Sequence, residues 1–311
     1  MNPNPQIRVK FVIRSVLIAV VLIFLLLPTG AGVIFMAGLT VPICGGAGDP
    51  SAYGLAFEDI RIPAPSIGGV LRAYFIPASA PARGTIIGVP TGAAGRGDRL
   101  HELRLFQAAG YNILAYESRT CAARQINSLG YLEVDQVGDA LAYLQTRADV
   151  DLTRVGIHGF SAGGSTAIMA AARYRQISAV IAQGGYHDFW GEVAANTAVF
   201  DERIPFMGAL FRFGAQVGYQ MTTGVDVSVL VPHVAITQIA PRPVLLIYGT
   251  DEPGLSGAEI MAASGDHVEL WRISGAGHGN YVTVVGEADY ARITAAFWDR
   301  TIGGETPTAE S

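Results

Sequence analysis

Lysine occurs once in the 311 residues, at Lys10, and every other cationic side chain except histidine is arginine. The net charge is −5 and no basic block lies beyond the N-terminus, which argues against nucleic acid as a partner. The arginine excess reads as compositional bias rather than chemistry. Cysteine is almost as scarce. Cys44 and Cys121 are too few for a disulfide framework, and their spacing makes no metal cluster. A single bridge between them stays open, with nothing in the spacing to support it. Lipid attachment at Cys44 fits poorly, because Ile43 stands where a small residue is wanted. No internal repeat is visible.

What the chain does have is one long apolar run. Arg8, Lys10 and Arg14 precede a stretch from Ser15 through Ile43 that carries no charge. A membrane-spanning helix needs about 20 apolar residues, and a cleaved signal has a shorter apolar core. Pro28, Gly30 and Gly32 interrupt the run, and Thr29-Gly30-Ala31 is a weak cleavage site. The reading favoured is an uncleaved, single-pass anchor over residues 1–43. The cations ahead of it keep the N-terminus cytoplasmic and put the rest of the chain outside. Residues 44–52 read as a linker, 53–303 as the folded domain and 304–311 as a disordered tail.

Within the folded domain, short apolar runs alternate with helical patterns. FEDIRIPA and GGVLRAYFIPAS alternate as strands close enough to pair antiparallel. GTIIGV, NILAYE, VGIHGF, ISAVIAQ, PVLLIYG and HVELWRI are compact β-rich runs suited to strands buried on both faces. Helical patterns between them imply a mainly parallel sheet with right-handed crossovers. Residues 189–241 break the alternation. This stretch is long and aromatic and reads as an inserted helical cap that sets substrate choice.

Gly159-Phe160-Ser161-Ala162-Gly163 follows the VGIHGF strand and opens an alanine-rich helix. That is the context a G-x-S-x-G nucleophile elbow requires: the serine is held in a strained turn, and Gly159 and Gly163 let strand and helix approach. A serine hydroxyl needs a base, itself oriented by a third group. PVLLIYG ends in Thr250-Asp251-Glu252, and HVELWRI runs into a glycine-flanked loop carrying His278. Catalytic groups gather at the C-terminal edge of a parallel sheet, and Ser161, Asp251 and His278 all fall there in that order. Asp251 is the expected acid. Glu252, whose longer side chain suits the position less well, and Asp188 are the alternatives. Of the six histidines, His278 alone sits in a loop after the last strand; His158, inside a strand, reads as packing. One oxyanion donor is expected from the Ala162 N–H. The other is expected from the Ala93 N–H, in the loop Val89-Pro90-Thr91-Gly92-Ala93-Ala94-Gly95, where no lysine follows to make a phosphate loop.

With these motifs the chain resembles the α/β-hydrolase superfamily over residues 55–303, and within it the membrane-anchored Bem46-type hydrolases. Thr91-Gly92 stands where that type has His-Gly, and Tyr116-Glu117-Ser118-Arg119-Thr120 where it has Asp-Tyr-Arg-Gly. The resemblance implies an α/β fold with a mainly parallel eight-stranded sheet, helices on both faces and a small cap, behind one transmembrane helix. It implies a serine hydrolase (carboxylesterase-like) that cleaves an ester, thioester or amide through an acyl-enzyme on Ser161. A small-molecule or lipid-like acyl substrate and the membrane are the expected partners; the chemistry calls for no metal or organic cofactor. A peptidase or acyltransferase with the same three residues, or a non-catalytic binding protein on this fold, are the competing readings.

Overall fold

A computed structural model describes residues 5–41, 44, 48–79, 81–204 and 206–304. Of the proposed tail, residues 304–311, all but Gly304 lie outside them, as do residues 45–47 of the proposed linker. The chain divides into two compact units. One holds residues 1–40 and 193–227, the other residues 41–192 and 228–311.

The larger unit is built on an eight-stranded sheet in the order β1-β2-β4-β3-β5-β6-β7-β8. The strands are β1 (Glu58–Ala64), β2 (Gly69–Ile76), β3 (Thr85–Val89), β4 (Asn112–Tyr116), β5 (Val155–Phe160), β6 (Ile177–Gln183), β7 (Val244–Gly249) and β8 (Val268–Ile273). β1 pairs antiparallel with β2, and β2 with β4; all later pairings are parallel. The two leading runs therefore pair as their alternation predicts. β3 to β7 are buried along their whole length except for one half-buried position, Ser178, in β6. That burial is why their sequences are continuous apolar runs rather than alternating ones.

Successive residues of a strand face opposite sides, so each central strand feeds two cores. Ile87, Leu114, Ile157, Val180 and Leu246 point to one. There α4 (Glu133–Leu144), α5 (Ala162–Arg173), α8 (Pro232–Thr237) and α9 (Leu255–Ala262) supply Val137, Ile168, Ile236 and Met261. Ile86, Ile113, Ile181 and Ile247 point to the other, against α2 (Leu100–Ala108) and α11 (Glu287–Thr301). Trp298 lies fully buried on this side, and Gly156 of β5 makes its room: a Cβ there would come within 2.6 Å of the indole. The short α3 (Arg119–Ala123) carries Cys121, which is disulfide-bonded to Cys44. The bridge left open by sequence is present, and it ties the segment after residue 41 to the loop that follows β4.

The smaller unit contains α1 (Pro5–Thr40), most of α6 (Phe189–Arg203) and α7 (Met207–Thr223). α1 runs unbroken through Pro28, Gly30 and Gly32, which sequence reading takes as interruptions. Thr29 helps: its hydroxyl donates to the Leu25 carbonyl, in the turn that proline's missing N–H disturbs. Residues 9–27 are exposed on every side, whereas Pro28, Gly32, Met36 and Thr40 are buried. That period of four is one helix face, and it packs on α7. A Cβ on Gly32 would collide with the Phe211 carbonyl, and one on Gly214 with the Thr29 carbonyl. Phe35 and Phe211 pack at 5.5 Å, and Thr40 Oγ1 donates to Thr222 Oγ1 at 2.8 Å. Part of the aromatic content of the insertion is thus spent on the N-terminal helix.

Trp298→Ala should destabilise the folded domain by about 3–5 kcal/mol, the usual cost of emptying a buried aromatic site. Urea unfolding of the full chain in detergent, followed by tyrosine and tryptophan fluorescence, checks this.

Candidate active site

Ser161 stands between β5 and α5 at φ +55°, ψ −127°. A non-glycine residue there is strained by about 1–3 kcal/mol, so its surroundings must enforce it. They do so by leaving no slack. The Ser161 N–H donates to the Gln183 carbonyl at 2.8 Å, tying the turn to β6. A Cβ on Gly159 would collide with the Gly163 carbonyl; one on Gly163 would lie 2.8 Å from the Pro90 carbonyl, and one on Gly164 2.9 Å from that of Gln183. Glycine at these positions is the condition for the turn, and the turn lifts the serine hydroxyl off the sheet edge.

The loop after β8 brings His278 to the serine. Its Nε2 lies 3.1 Å from Ser161 Oγ, and its Nδ1 lies 3.0 Å from Glu252 Oε2. In the neutral ring this arrangement has Nδ1–H donating to the carboxylate and Nε2 accepting from the serine hydroxyl. Gly184, at φ +55°, makes space for the ring: a Cβ there would approach His278 Nδ1 to 3.0 Å and the Tyr281 hydroxyl to 2.5 Å.

The acid at His278 is Glu252, and this corrects the expectation for Asp251. After β7 the chain turns back on itself. The Asp251 N–H donates to the Ala276 carbonyl at 3.0 Å, and the Glu252 N–H to the Gly249 carbonyl at 3.3 Å. This turn leaves Asp251 exposed, with the Thr250 hydroxyl 3.2 Å from its carboxylate. Glu252 folds inward and is buried, and its extra methylene carries the carboxylate back to the imidazole. The Gly249 N–H and the Tyr281 hydroxyl each donate to Glu252 Oε1 at 2.6 Å. The carboxylate therefore has three donors, as a buried charge needs. Burial, and then the bond to Glu252, push the Tyr281 phenol far above its ordinary range, so it stays a proton donor. Tyr281 opens α10 (Tyr281–Val285), three residues after His278. Sequence reading passed over it, since that short spacing was the one signal it offered.

The remaining candidates take these places. Ala162 is the first residue of α5, where a backbone N–H has no acceptor within the helix. Ala93 lies in the loop after β3, between Gly92 at φ +46° and Ala94, whose carbonyl accepts the Ser118 N–H at 3.0 Å. In the same loop the Thr91 N–H is already given to Asp98 Oδ2 at 2.8 Å. Asp188 lies 3.4 Å from His187 Nε2 rather than at His278. His158 is buried 3.3 Å from Glu102, which also pairs with Arg99. Burial pushes the Glu102 carboxyl up, but the His158 hydrogen bond and the Arg99 charge outweigh it and hold it below its usual range. The Arg99 guanidinium sits 4.2 Å from the Phe160 ring centre, and the Phe160 ring 4.6 Å from that of His278. This stack backs the imidazole from below. Among the described residues no cluster of histidine, cysteine and carboxylate side chains could hold a metal ion.

Glu252→Gln should slow labelling of Ser161 by a fluorophosphonate by about 10³–10⁴-fold, because a neutral amide neither fixes the tautomer nor steadies the imidazolium. Asp251→Asn should leave the rate within about twofold, as expected for a surface change. Equal loss in both variants would return the acid to Asp251.

Comparison with known proteins bears on the fold and the family. Human dipeptidyl peptidase 8 is 30% identical over 103 residues, which cover 30% of this chain and 12% of that protein. The mouse protein of the same name is 29% identical over the same length. The match thus spans about an eighth of the length of these curated relatives. Among solved structures, an esterase of Pyrococcus furiosus superposes with a TM-score of 0.62 at 18% identity, covering 83% of this chain and 96% of its own. An acylaminoacyl peptidase of Pyrococcus horikoshii gives 0.62 at 16% identity, covering 82% of this chain and 43% of its own. At such identities they share the fold, which is the α/β-hydrolase fold. Residues 117–305, more than half of the sequence and the part that carries Ser161, Glu252 and His278, match the prolyl oligopeptidase family, and the chain belongs to that family.

Proposed function

We propose that the protein is a membrane-anchored serine hydrolase that cleaves a carboxylic ester, thioester or amide through an acyl-enzyme on Ser161. The observation that carries this reading is the unbroken line from Ser161 Oγ through His278 to the buried Glu252. Ser161 attacks the carbonyl carbon as His278 Nε2 takes its proton. Glu252, which accepts hydrogen bonds from the Gly249 N–H and the Tyr281 hydroxyl, stabilises the imidazolium that forms. The N–H groups of Ala162 and Ala93 receive the oxyanion. His278 then protonates the leaving group, and a water that it activates hydrolyses the acyl-enzyme.

Ester cleavage (a carboxylesterase) is the first reading, and peptide cleavage is the second. Membership of the prolyl oligopeptidase family favours the second, and the esterase and peptidase among similar folds accommodate both. The likeness to Bem46-type hydrolases belongs to this proposal too, and its support is the N-terminal apolar helix. That helix is the anchor, with the catalytic domain on the outer side. Three observations support this: cations precede the run, residues 28–40 are built into a helix pair, and Cys44 and Cys121 form a disulfide of the kind that persists in oxidising compartments.

Ser161→Ala should abolish fluorophosphonate labelling and lower turnover by at least about 10⁴-fold with the fold intact; undiminished labelling refutes the assignment. A panel of p-nitrophenyl esters, N-acylated amides and free aminopeptides then ranks the two substrate readings by kcat/KM. For the location, both cysteines of the unreduced, denatured chain extracted from cell membranes should resist alkylation. Full alkylation without reductant would contradict an outer-side domain.

A further inference from the structure

The smaller unit holds a feature that an anchor alone does not need. α1 has 36 residues, about 54 Å at 1.5 Å per residue, against a bilayer hydrocarbon core of about 30 Å. The surplus is accounted for by burial. Residues 9–27, exposed all round, make a cylinder about 28 Å long, with Lys10 and Arg14 near its cytoplasmic end to reach the headgroups. From Pro28 onward one face is buried on α7, so the outer part of α1 is a docking partner rather than a span.

The pairing has a direction. Gly214 lies against Thr29, Gly218 against Val33 and Thr222 against Thr40, so the two helices run parallel. The start of α7 therefore stands beside the turn of α1 at which all-round exposure ends. α6 runs the opposite way and is clamped to α7 where Arg212 Nη1 donates to Thr197 Oγ1 at 3.3 Å. Ile204 and Phe206 lie at the tip of this helical hairpin. Phe206 and Phe213 are 50% and 57% exposed at that end, whereas Met221, 75% exposed, lies about 22 Å farther up the helix from Phe206. Phe213 lies about 10 Å up the helix from Phe206, and exposed phenylalanines on the first two turns of one helix end are costly in water and favourable at a lipid surface. Glu202 is also exposed at this tip, which sets the depth at the headgroups rather than in the hydrocarbon.

We infer that the α6–α7 hairpin stands upright on the outer half of α1 and seats its tip, led by Phe206 and then Phe213, in the headgroup and acyl boundary of the membrane that α1 crosses. This rests on the anchor reading above. It adds a second membrane contact, made by the insertion itself, and the occupant of that apolar end is lipid.

The test uses the full chain reconstituted in phosphatidylcholine–phosphatidylglycerol vesicles, with Phe206→Cys, Phe213→Cys or Met221→Cys labelled by an environment-sensitive nitrobenzoxadiazole dye. A quencher carried on lipid near the headgroup should quench the dye at 206 at least about threefold more than at 221, with 213 between them, and aqueous iodide should give the reverse order. Equal iodide quenching at all three positions, with none from lipid, overturns the inference while the anchor stands. Self-quenching at 206 that rises with the protein-to-lipid ratio also overturns it and assigns the apolar end to a second copy of the chain. If the protein fails to float with the vesicles, the anchor reading fails and this inference with it. Fluorophosphonate labelling of each variant confirms that the hydrolase unit is folded.

Discussion

The close passage of β5 beneath the start of α5 is the constraint on which the site depends. Gly159, Gly163 and Gly164 bring backbone within contact of backbone, and the chain can make the turn only with Ser161 at positive φ. The strain stored there, about 1–3 kcal/mol, is offset by the buried strands on either side. Those strands have no freedom to relax, because β5 feeds Val155 and Ile157 into one core and Phe160 into the other. A hydroxyl on a flexible loop would keep no fixed distance from the imidazole, whereas Ser161 Oγ is held at hydrogen-bonding distance from His278.

The same economy governs the base. His278 is half exposed at its serine end and tied down at the other by a carboxylate that is almost fully withdrawn from solvent. A buried carboxylate is tolerable only with donors around it, and Gly249, Tyr281 and His278 supply three. The Arg99–Phe160 stack completes the seat of the imidazole. Burial thus lies on the carboxylate side of the imidazole and exposure on the serine side.

In the smaller unit, packing again decides what composition leaves open. An apolar run of this length is compatible with a leader peptide, a span or a core helix. What the structure adds is a close helix pair: Gly32 on α1, and Gly214 and Gly218 on α7, let two backbones meet. The helix is therefore divided by its neighbours into a naked part of bilayer thickness and a partnered part, a division that hydropathy cannot register.

The order of strands and helices, the elbow at Ser161 and the histidine after the last strand were legible in the sequence. They are carried by local signals: buried strands read as apolar runs, and the elbow glycines have few other uses. The acid was not legible. Asp251 and Glu252 are neighbours at the end of β7, and which of them faces His278 is fixed by how the turn is pinned to Ala276 and Gly249. One residue of rotation about that turn exchanges solvent for the interior, and side-chain length alone argues the wrong way. Tyr281, the Arg99–Phe160 stack and the Cys44–Cys121 bridge were hidden for the same reason, since each joins segments whose proximity arises only once the sheet is assembled. The sequence by itself determined the fold class and singled out Ser161 and His278. Tertiary structure decided which carboxylate meets the imidazole and where along the N-terminal helix a buried face begins, because both depend on segments that meet only once the chain is folded.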